Sequence, residues 1–94
     1  MATQDLLDIW NYIAANSSIA SANGQLREID RACSPLREWP ELGKARDDVR
    51  DGLRSIRAGR YVIFYRVMIE VIEIVRVLHE RRDVDTLFPD EEWA

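Results

Sequence analysis

The chain has 94 residues, 47% of them hydrophobic and 32% charged, with a formal net charge of −4. That describes one small folded domain with a modest core, too apolar to stay disordered and too acidic to be a generic nucleic-acid binder. No apolar run reaches the roughly 18 residues of a membrane span, and no basic-then-apolar leader opens the chain. Its one cysteine, Cys33, excludes an internal disulfide and a Cys/His zinc cage, so a cytoplasmic protein without metal or cofactor is expected.

The charge is unevenly spread. Residues 1–43 carry three Arg against six acids, and residues 44–82 carry ten basic residues against six acids. Residues 83–94 hold five acids and no base, an acidic tail. Twelve of the thirteen basic residues are Arg, whose bidentate fork suits protein interfaces as well as anion sites.

From residue 2 to 16, Leu6, Ile9, Trp10 and Ile13 fall at i, i+3, i+4 and i+7, which predicts an amphipathic helix with Thr3 as N-cap and Asp5 and Asp8 near its positive end. After "ANSS", where Ser17 or Ser18 can cap, Ile19, Ala22, Leu26, Ile29, Cys33 and Leu36 form a second apolar stripe, ended or kinked by Pro35. The helical hairpin therefore spans about 2–36. "KARDDVRDG" reads as a charged loop, and from Leu53 the period changes. "LRSIR" is a short strand, "AG" a turn, "RYVIFYRV" and "VIEIVRVLH" are strong strands, and "MIE" connects them, giving a sheet over about 53–80. The two long strands are apolar on both faces, which predicts central positions. Helices followed by strands make an α+β fold, a hairpin packed on an antiparallel sheet within a single domain over 1–94.

Two constellations carry the functional question. His79, the only histidine, stands among arginines. It can serve as the base of a metal-free ribonuclease, with Arg76, Arg81 or Arg82 at the phosphate, or it can close a strand by bonding to backbone. The residues alone leave both open. The arginines at 54, 57, 60, 66, 76, 81 and 82 need anions. If "MIE" makes a three-residue turn, Arg66 and Arg76 share a face and require Glu73, the tail, a phosphate or a partner's carboxylates. Trp10, Trp39, Tyr61, Phe64 and Tyr65 are expected in the core.

Five stretches together, "ATQDLLDIWNYIA", "PELGKAR", "GLRSI", "YVIFYRV" and "IEIVRVLHERRD", resemble the ParE-type toxins of the RelE/ParE toxin–antitoxin superfamily, in family order over residues 2 to about 85. The resemblance implies a toxin that poisons DNA gyrase by contact, is not an enzyme, and is neutralised by a co-encoded ParD-like antitoxin in a hetero-oligomer. RelE-like relatives instead cut mRNA on the ribosome with lysine-rich surfaces. Here Lys44 is the only lysine and "ERRDVD" follows the last strand, which favours the ParE-type ending with no sequence-specific nucleic-acid binding. An endoribonuclease using His79 and Arg76, and an inactivated toxin that only binds antitoxin, are the alternatives. Family members begin with a strand before the first helix, and that strand is expected to be missing here. The candidate walls of an antitoxin groove are Trp10, Ile13, Ile56, Tyr61 and Ile63, with core burial as the competing role. The candidate gyrase-facing residues are Arg76, His79, Arg81 and Arg82.

Overall fold

The structure, a computed structural model, describes residues 1–81. Two helices, α1 (Ala2–Asn16) and α2 (Ile19–Cys33), form an antiparallel hairpin, followed by a 3-10 turn over Ser34–Arg37. Four strands then follow: β1 (Lys44–Ala45), β2 (Leu53–Ala58), β3 (Tyr61–Met68) and β4 (Val71–His79). They form one antiparallel sheet in the order β1-β2-β3-β4.

The helices begin and end for local reasons. Ser18 caps α2, its hydroxyl accepting the Ser21 N–H at 3.0 Å. Thr3 does not cap α1. The helix starts at Ala2 with Met1 at the N-cap position and no side-chain cap, so Thr3 lies inside the first turn. Pro35 ends the α-helical ladder as expected, and the chain tightens into the 3-10 turn instead of fraying.

Side-chain alternation along the strands builds two cores, one on each face of the sheet. On the helix side, Ile9 and Ile29 meet Ala58, Tyr61, Ile63 and Val77. On the other side, Phe64, Val75 and Leu78 pack with Leu53 and with Val49 from the segment between β1 and β2. The two faces of β3 and β4 are apolar because both are covered.

Several expectations need correction. The stretch after residue 43 is not wholly loop, since Lys44 and Ala45 pair with Ser55 and Arg54 as a two-residue edge strand. β4 is not central. It is the other edge, and α1 covers part of it: the Asp5 carboxylate accepts the Val77 N–H at 3.0 Å. The β3–β4 turn is two residues long, Ile69 and Glu70, with Met68 opposite Val71 and Glu70 at φ 67. A register shift then falls between Phe64 and Tyr65. Arg66 and Arg76 each have their own anion, that of Arg66 being the expected Glu73. Arg66 pairs with Glu73 across the ladder, and Arg76 pairs with Asp5. Trp39 is 61% exposed and not in the core, because it occupies the corner of a turn closed by the Leu42 N–H to its own carbonyl at 3.0 Å.

Candidate binding cleft between the first helix and the last strand

A cleft of about 980 Å³ opens where α1 from Asp5 to Ile13, Gln25 of α2, the β2–β3 turn and the end of β4 converge. Each wall follows from the sequence that makes it. The helical spacing of Ile9, Tyr12 and Ile13 turns them toward β4, and Gly59, at φ 61, permits the tight turn that brings Arg60 beside Tyr61. The end of β4 supplies Val77, Leu78 and His79, and Arg81 follows at the rim.

Ile13 and Tyr61, candidates for the antitoxin, thus meet Arg76, His79 and Arg81, candidates for the target, around one cleft. The other candidates lie elsewhere. Trp10 joins the two helices, its indole N–H donating to Asn23 Oδ1 at 2.9 Å. Ile56 packs against the helix-side core, half-buried. Ile63 is 0% exposed, so it is core and not a groove wall; the parity that places it beside Tyr61 also sends it under the helices. Arg82 and the acidic tail lie outside the described residues.

Tyr61 and His79 face each other across the ladder as an edge-to-face pair, ring centroids 5.5 Å apart at 86°. His79 Nδ1 accepts the Arg81 N–H at 3.2 Å, which leaves the neutral imidazole proton on Nε2. Burial, with Tyr12 close by, pushes the Tyr61 phenol above the usual tyrosine range, so it stays protonated.

Arg76 is held by its neighbour. Its Nε and Nη2 donate to the two oxygens of Asp5, both at 2.8 Å, and its side chain is 15% exposed. Asp8, a carboxylate on the cleft wall, accepts from Gln4 Nε2 at 2.8 Å, whereas Arg57 pairs with Glu80 outside the cleft. Among the described residues no group of three or more His, Cys, Asp or Glu is placed to hold a metal ion. His79 thus has one nitrogen engaged by backbone, and the Arg76 guanidinium is held by carboxylate. An apolar wall between exposed cations suits a peptide segment.

The sequence reading left Asp5 as a helix-dipole residue and did not single out Tyr12 or Gln25. A carboxylate on the apolar side of α1, one turn before Ile9, was the available signal for Asp5. Tyr12 and Gln25 had none, because only the packing of α1 against α2 and β4 places them.

A family model described as "ParE toxin of type II toxin-antitoxin system, parDE" matches residues 1–84. The chain is 39% identical over 85 residues to Toxin ParE1 of Mycobacterium tuberculosis, covering 89% of this chain and 87% of that protein. It is 30% identical over 80 residues to Toxin ParE3 of Caulobacter vibrioides, covering 85% and 80%. Its fold is similar to a chain in a solved structure titled "Chromosomal ParDE TA system from P. aeruginosa", with TM-score 0.73, 21% identity and coverage of 83% and 86%.

Proposed function

The chain belongs to the ParE toxin family of type II toxin–antitoxin systems, and from that premise we propose that it inhibits DNA gyrase by protein–protein contact in the bacterial cytoplasm and is neutralised by a ParD-like antitoxin. The observation that carries the reading is the meeting of Ile13 and Tyr61 with His79 and Arg81 around one cleft. A partner seated against the first two covers the second two. Neutralisation is then occlusion: antitoxin and gyrase compete for the end of β4 and the residues after it, including Arg82. Arg76, tied to Asp5, holds that end in place.

The action is non-enzymatic. A metal-free ribonuclease needs a base and a phosphate clamp acting together. Arg76, the clamp paired with His79 in the endoribonuclease alternative, is on Asp5, and His79 is engaged with the Arg81 backbone and the Tyr61 ring. No helix among the described residues is long and apolar enough to cross a membrane.

Expression of the chain alone tests this. Growth is expected to stop with DNA damage and intact mRNA and to resume on co-expression of the antitoxin; His79→Ala should weaken the arrest while mRNA stays intact in both. Ribosome-dependent mRNA cleavage that disappears with His79→Ala would restore the nuclease. Unimpaired growth, with folded protein accumulating, would mark an inactive toxin that only binds antitoxin.

A further inference from the structure

We propose that Asn23 is a deamidation site which α2 keeps closed, so that a chain whose hairpin opens is modified there and cannot re-form the helix. Asn23 is exposed in the interior of α2 and is followed by Gly24. The fold has no need of a glycine at that position. The positive-φ glycines are Gly52 and Gly59, and a Cβ on Gly24 would meet nothing nearer than Arg27 Nη2 at 3.8 Å. Glycine is the poorest helix former after proline, so Gly24 makes a weak point inside α2 with no packing gained in return. What it does supply is an unhindered backbone nitrogen beside a side-chain amide.

Water is the only co-reactant. The Gly24 nitrogen, giving up its proton, bonds to Asn23 Cγ; the Cγ–Nδ2 bond breaks and ammonia leaves, closing a succinimide. Water then opens the ring at either carbonyl, to aspartate or to isoaspartate. Ring closure requires Asn23 to leave helical backbone angles and the Gly24 N–H to leave the carbonyl four residues back, that of Ala20. The intact helix holds both in place. The fold accepts the two products differently. Aspartate keeps an oxygen for the Trp10 indole N–H, which donates to Asn23 Oδ1 at 2.9 Å and ties α1 to α2. Isoaspartate runs the main chain through Cγ and lengthens it by one carbon. That breaks the helical register by which Ala22 and Ile29 are both buried.

The test ages the full chain at physiological temperature in mildly alkaline buffer, folded and in urea. Deamidation is mapped by peptide mass spectrometry, and isoaspartate is counted by isoaspartyl methyltransferase labelling. Asn23 is expected to react about tenfold or more slower in the folded chain than in urea, because only the opened fraction reacts. Asn16, followed by Ser17, is the internal reference and should lag behind Asn23 in urea. Gly24→Ala should slow the reaction in urea while raising the melting temperature of the fresh chain. Asn23→Asp should melt close to the parent. Chain aged in urea and returned to buffer should instead lose helical circular dichroism in proportion to its isoaspartate content. An equal Asn23 rate folded and in urea, no lead of Asn23 over Asn16, or an unchanged rate in Gly24→Ala would overturn the proposal. So would isoaspartate-rich chain that regains the parent's melting, or Asn23→Asp that melts as poorly as the aged chain. None of these readouts involves antitoxin or gyrase, so the result stands apart from the toxin reading.

Discussion

Asp5 and Arg76, 71 positions apart in sequence, form a two-pronged pair at 2.8 Å that fastens the first turn of α1 to the edge of β4. The same carboxylate accepts the Val77 N–H at 3.0 Å, so one side chain satisfies an edge-strand donor and a largely buried guanidinium together. With Asp5 only 8% exposed, this is the main polar link between the helical hairpin and the strand that forms the cleft floor.

Asp5→Ala is expected to destabilise the chain by about 3–5 kcal/mol, because it removes both carboxylate oxygens that Arg76 donates to and the acceptor of the Val77 N–H. Asp5→Leu combined with Arg76→Met should recover most of that loss, since apolar residues of similar volume remove both charges at once. Urea denaturation of the two variants checks this. Equal stability of Asp5→Ala and the parent would show that the pair carries no stability.

Tyr65 anchors the loop before β1. Its hydroxyl donates to the Pro40 carbonyl at 2.7 Å and accepts the Gly43 N–H at 2.9 Å, with the residue 0% exposed. Tyr65→Phe should cost about 1–3 kcal/mol by leaving those two groups unpaired. Gly43→Ala should cost a similar amount by another route. A Cβ there would stand 2.6 Å from Tyr65 Oη and 2.8 Å from the Ser55 carbonyl, so the strand pairing must shift. Thermal melts of both variants are the check.

Much of this architecture was legible in the sequence. The β-branched run of residues 71–79 defined β4 to its ends, and the three- and four-residue steps of Ile19, Ala22, Leu26, Ile29 and Cys33 defined α2. What escaped was set by distant partners. Lys44 and Ala45 are both exposed and lie in a charged run, so nothing local marks them as strand; their pairing with β2 does. Trp39 has core composition and a turn's geometry. The cleft was legible only in pieces, because it is assembled from four segments, and alternation alone cannot distinguish Tyr61 on its wall from Ile63 beneath it.

Tyr61, together with Cys33, should contribute to the alkaline limb of stability. Its phenol is raised above the usual value, about 10, by burial and then by Tyr12 nearby, so the folded chain holds that proton more tightly than the unfolded chain. The unfolded state therefore binds fewer protons over that window, and stability falls as pH rises past the unfolded value toward the folded one. The melting temperature should drop over this range, and Tyr61→Phe should flatten the drop. Phenolate absorbance showing Tyr61 ionising at the ordinary value would contradict it.

Cys33 should be a slow thiol. Burial raises its pKa, and the neighbouring Asp30 carboxylate raises it further, so little thiolate is present near neutrality. Alkylation by iodoacetamide is expected to run slower than that of free cysteine, to accelerate with pH, and to accelerate modestly in Asp30→Asn. Reaction as fast as free cysteine in the folded chain would contradict the burial.

The most direct test of the account is supercoiling by purified DNA gyrase in the presence of the full chain, with and without its antitoxin. The account predicts inhibition or trapped cleaved DNA, relief when antitoxin is added first, and loss of inhibition when Arg81 and Arg82 are reversed to Glu. Undisturbed supercoiling at a large excess of folded chain would contradict the claim that this protein acts on gyrase by contact.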